Sequence, residues 1–117
     1  MSEGKKEITQ LIERLELLEE KFGIAISGLY ATSEFITWKI LTPHVHEIKI
    51  NFDVGSSSGT ALDRSFKIHA SAYNSAGQLL GTSSANINKD NFLGFASMSI
   101  GIDVDQTPEK IRLFPAA

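Results

Sequence analysis

Near the start of the chain, apolar residues recur at spacings of three and four: Ile8, Leu11, Leu15, Leu18 and Phe22. Ile12 and Leu17 widen that stripe, and Glu, Lys and Arg fill most of the remaining positions. A repeat of about 3.6 residues predicts an amphipathic α-helix over residues 3–22. Ser2 suits its N-cap. Gly23 suits its stop, where a glycine accepts the left-handed conformation that ends many helices.

Beyond Gly23 the period falls to two. Ile48, Ile50, Phe52 and Val54 alternate with Glu47, Lys49, Asn51 and Asp53. Successive side chains of a strand point to opposite faces, so this is a strand with one buried face. Phe66, Ile68, Ala70 and Ala72 repeat the pattern. Phe92, Ala96, Met98, Ile100, Ile102 and Val104 form a longer series, and Ile111 with Leu113 a short last one. Further strands are expected around 25–30, 34–41 and 78–86; the second is rich in the β-branched and aromatic residues that suit a pleated surface. Turn residues separate these runs: Gly55–Gly59, Asn74–Gly77, Asn86–Asn91 and Asp105–Pro108. About seven short strands with this punctuation predict a mainly β fold. The expected order is an N-terminal helix (1–23), then a seven-stranded antiparallel immunoglobulin-like β-sandwich (24–117).

A helix of this length is marginal alone in water, so its apolar face needs a surface to cover. In heptad register Ile8, Leu15 and Phe22 take a positions and Leu11 and Leu18 take d positions, which suits pairing with a second copy. Ile12 and Leu17 make the stripe wider than a coiled-coil seam, which suits docking on the chain's own sandwich or on another protein. The pattern therefore predicts a non-enzymatic interaction or assembly module. Its contact residues are Ile8, Leu11, Leu15, Leu18 and Phe22, and its partner is a protein or a copy of itself.

Composition narrows the function classes. The chain of 117 residues carries a net charge of -3 and no cysteine. Disulfides, thiol nucleophiles and zinc–cysteine sites are excluded. No Lys/Arg run supplies the phosphate-binding term of nucleic-acid affinity. No apolar run approaches the roughly 18 residues of a membrane span, and MSEGKKEITQ lacks the apolar core of a signal peptide. Neither nucleic acid nor membrane is an expected partner, and a cytoplasmic location is expected.

The segment 70–81, Ala-Ser-Ala-Tyr-Asn-Ser-Ala-Gly-Gln-Leu-Leu-Gly, reads as a hairpin. It resembles one found in bacterial immunoglobulin-like domains of the FxLYD type. Tyr73, Gly77, Leu80 and Gly81 match that pattern, whereas Asn74 replaces its Asp, Ala72 its Leu and Ala70 its Phe. The resemblance covers about a dozen residues. It implies a sandwich and, since such domains are mostly binding or accessory modules, no particular activity.

Candidate chemistry is sparse. His44 and His46 lie two apart, so a strand would place both imidazoles on one face, where they suit a metal ion or simply end the core at the rim. Asp103 and Asp105 supply hard oxygens of the kind that bind Ca²⁺ in sandwich loops, or equally the ordinary chemistry of a turn. A calcium- or carbohydrate-binding sandwich, with exposed aromatics such as Tyr73 stacking on sugar rings, is thus the first alternative function. Trp38 is the expected large core aromatic. A small metal-dependent or hydrolytic enzyme is the second alternative, but no Gly-x-Ser-x-Gly, Gly-x-Gly-x-x-Gly or Walker sequence is present.

Overall fold

The N-terminal segment threads along the edges of two β-sheets. The computed structural model describes residues 5–37, 45–59, 62 and 64–117. Strand β1 (Lys5–Glu7), a 3-10 turn (Thr9–Leu11), strand β2 (Ile12–Arg14) and a short helix α1 (Glu16–Lys21) occupy the span expected to be one long helix. Six strands follow: β3 (Ile24–Ile36), β4 (Val45–Ser56), β5 (Phe66–Tyr73), β6 (Leu79–Ile87), β7 (Phe95–Val104) and β8 (Lys110–Ala116). One sheet has the order β1-β3-β4-β7 and the other β2-β8-β5-β6.

The mainly β expectation holds, and the N-terminal amphipathic helix does not. The reason lies in what the sheets leave open. Without residues 5–14, β3 and β8 would each present an unpaired edge. β1 pairs antiparallel with β3, Glu7 opposite Thr32. The Ile8 N–H then donates to Ala31 O at 2.8 Å, and the Ala31 N–H donates to Thr9 Oγ1 at 3.0 Å. After the crossing, β2 pairs with β8, Ile12 opposite Ile111. A helix must form an unfavourable nucleus before it gains anything, whereas an open strand edge offers ready donors and acceptors. The three- and four-residue spacing serves a different end here. Ile8 drops into the core at the crossing, 1% exposed, and Leu11 and Ile12 pack at the core's margin.

The strand count changes for the same reason. The two expected strands at 25–30 and 34–41 merge into β3, as far as residue 36, and the N-terminal segment adds two, which gives eight among the described residues. The pairing of β2 with β8 is parallel, so the sandwich is not wholly antiparallel. β3 also switches faces. Ile26 faces in opposite Val54, but after a bulge between Ser27 and Tyr30 it is Ala31, opposite Ile50, that faces in. Gly28 sits in that bulge with φ +62°, a conformation that costs other residues roughly 1–2 kcal/mol.

Between the sheets, Ile48, Ile50, Phe52 and Val54 of β4 join Ile68 and Ala70 of β5 and Ile111 and Leu113 of β8 in one buried cluster. One long side is closed by the approach of β6 to β7. A Cβ on Gly81 would lie 3.0 Å from Ile102 Cγ2 and 3.2 Å from Val104 Cγ1, so the glycine permits that closure. The opposite side is closed by residues 5–22. Among the described residues, no helix is long and apolar enough to cross a membrane.

Candidate functional site

Helix α1 is anchored from beneath. Glu19 is 2% exposed. Its Oε1 accepts the Ile26 N–H at 3.1 Å, and its Oε2 faces Arg14 Nε at 3.3 Å. Arg14 also reaches Glu16 Oε1 at 3.1 Å through Nη2. Gly23, φ +69°, turns the chain from the helix into β3. Phe22 lies with its ring centre 5.0 Å from that of Phe66, and the Arg64 guanidinium stands over the Phe22 ring, 4.4 Å from its centre. With its underside fixed, α1 turns Leu17 outward at 77% exposure. Leu15, Leu17 and Leu18 line an open depression of about 620 Å³ together with Arg14, Glu16 and Lys21.

The five residues expected to form a contact stripe are therefore divided. Ile8 belongs to the core and Leu11 and Phe22 pack against it. Leu15 and Leu18 remain half-buried beside Leu17. The stripe as a continuous helical face does not exist.

A second cluster forms on the outer face of the β2-β8-β5-β6 sheet. Glu13 of β2 lies opposite Arg112 of β8. One oxygen of Glu13 meets Arg112 Nε at 3.0 Å and Lys110 Nζ at 3.3 Å. The bond from Arg112, aided by Lys110, holds the Glu13 carboxyl below its ordinary value of 4.5. The Arg112 guanidinium lies 5.6 Å from the centre of the Tyr73 ring, and His69 stacks on Phe114 with centroids 5.6 Å apart. Tyr73 faces outward, as its place in the alternation of β5 predicts.

Of the metal candidates, His46, Asp103 and Asp105 are among the described residues. His46 faces the end of the core, with its ring 4.9 Å from that of Phe35. Asp103 pairs in register with Glu47, which places it on the opposite, outer face of the same sheet. Asp105 is exposed in the turn after β7. His44 and Trp38 lie outside the described residues. Among the described residues, no three His, Asp or Glu side chains come together as a metal site.

Comparison with protein-family models, with curated proteins and with solved structures finds no match to this chain.

Proposed function

We propose that the chain is a non-enzymatic assembly module that pairs with a second copy through α1. The observation that carries this reading is Leu17, a large apolar side chain 77% exposed on a helix whose other face is locked by Glu19. A rigid apolar anchor is what contact surfaces tend to be built around, because little side-chain freedom is lost on docking. One pair of charges on α1 suits an antiparallel crossing. Glu16 stands in its first turn and Lys21 in its last, so two copies crossing antiparallel bring Glu16 of one near Lys21 of the other. α1 is short, and falls well below the roughly 800 Å² per partner of a standard interface. The dimer is therefore weak and concentration-dependent.

The immunoglobulin-like reading and the FxLYD likeness belong to the same proposal. They are supported by the hairpin, in which Tyr73 ends β5, Gly77 has φ +79° and Leu80 and Gly81 lie in β6. A cytoplasmic location, consistent with the lack of cysteine, completes it.

Charge reversal tests the pairing. Light scattering of Glu16→Lys and of Lys21→Glu should each show weakened association, and the double variant should regain it. A full chain that stays monomeric at every concentration, or that binds only a different protein, overturns the reading.

A further inference from the structure

The turn between β5 and β6 and the start of β8 enclose a groove of about 380 Å³. Its size falls within the range of small-molecule sites. Its walls are cross-linked by hydrogen bonds. Asn74 Oδ1 accepts the N–H groups of Ala76 and Gln78, each at 3.0 Å, and Asn74 Nδ2 donates to Gln78 Oε1 at 2.9 Å. The Glu109 N–H donates to Tyr73 O at 2.8 Å, which ties the two walls together. A groove already held in shape loses little freedom when it is filled.

Its chemistry is mixed in a specific way. Tyr73 offers a half-buried ring with the Arg112 guanidinium 5.6 Å from its centre, and the part of the ring that Arg112 leaves uncovered is the kind of surface on which the C–H face of a sugar packs. Lys110 and Arg112 line the same groove, and both lean on a single oxygen of Glu13. Glu13 engages only the Nε edge of Arg112, so the two terminal amino groups of the guanidinium remain for a second acceptor. Glu109, which also lines the groove, is an acceptor suited to hydroxyl groups.

We propose that this groove binds a sugar ring that carries a carboxylate. The ring stacks on Tyr73, the carboxylate meets the free edge of Arg112 and the Lys110 ammonium, and ring hydroxyls donate to Glu109. Such charge-assisted bonds are the stronger class of hydrogen bond, and they separate an acidic sugar from its neutral analogue. The site is independent of α1 and of the pairing proposed for it.

The test is an NMR titration of the full chain with methyl glucuronide and with methyl glucoside. The glucuronide should shift the amide signals of Tyr73, Gly77 and Arg112, and the glucoside should bind at least about tenfold more weakly, the difference one charge-assisted contact makes. Arg112→Gln, at an exposed position, should remove that preference while leaving the fold intact. Tyr73→Leu should weaken both sugars. No shift with either sugar overturns the site, and equal binding of the two overturns the role of the carboxylate.

Discussion

The carboxylate of Glu19 accepts the main-chain N–H of Ile26 at 3.1 Å, so a side chain of α1 stands where a neighbouring strand would place a carbonyl. β1 covers only the Thr32–Glu34 stretch of β3, and Thr9 covers Ala31. Glu19 thus caps an edge donor that would otherwise invite another strand. Arg14 Nε, at 3.3 Å from the second oxygen, balances the buried charge.

Glu19→Ala removes the acceptor and leaves the Ile26 N–H under α1 without a partner. The expected loss is about 2–4 kcal/mol, in the range of broken buried charge pairs and hydrogen bonds. Glu19→Gln keeps an acceptor and should lose less. Urea melts of the three proteins measure the order; an alanine variant within about 0.5 kcal/mol of wild type would contradict it.

Removing residues 1–22 should abolish the cooperative melt or cause aggregation. The truncation takes Ile8 from the core and bares the edges of β3 and β8. Thermal unfolding and light scattering of the truncated chain decide this. A soluble, cooperatively folding remnant would show that the segment is an appendage.

How the N-terminal segment escapes sequence reasoning is a matter of competition. Ile8, Leu11, Leu15, Leu18 and Phe22 have true helical spacing, and locally only Glu19 and Glu20, unfavourable at a helix C-terminus, speak against a helix. What decides is the open edge of two strands that lie elsewhere in the chain, at Thr32–Glu34 and Ile111–Leu113. The central strands were legible because one face of each is buried, so alternation in Ile48–Val54 and Phe66–Ala72 reports burial directly. β3 hid because its bulge at Gly28 shifts the inward positions from Ile24 and Ile26 to Ala31 and Ser33, which breaks the alternation. Of the candidate sites, the outward face of Tyr73 was readable from parity. Its neighbours were not, since Glu13 and Arg112 stand 99 positions apart and meet only through the parallel pairing of β2 with β8.

Gly81→Val should destabilise the chain by about 1–3 kcal/mol, the usual cost of overpacking. Even the first added carbon would stand 3.0 Å from Ile102 Cγ2. Denaturant unfolding measures the loss. Gly77→Ala is expected to behave differently, because its Cβ meets nothing within 4 Å and only the strain of φ +79° remains.

Glu13 sets a pH dependence with a definite sign. Its folded-state value lies below 4.5, chiefly because Arg112 and then Lys110 hydrogen-bond the charged form. A depressed carboxyl contributes stability above its unfolded-state value and loses that contribution as pH falls through the folded-state value. An NMR titration should find Glu13 among the more acidic carboxyls, and Arg112→Gln should move it back up. A Glu13 carboxyl that titrates at its ordinary value in wild type would remove the pairing from solution.

The most direct test of the assembly reading is the solution mass of the full chain and of Leu17→Asp, measured by light scattering across a wide concentration range. The account predicts that wild type rises from 12.8 kDa towards twice that mass as concentration increases, while Leu17→Asp stays at the monomer mass with an unchanged melting temperature. A wild-type chain that remains a monomer throughout, or a Leu17→Asp variant that still associates, would contradict it.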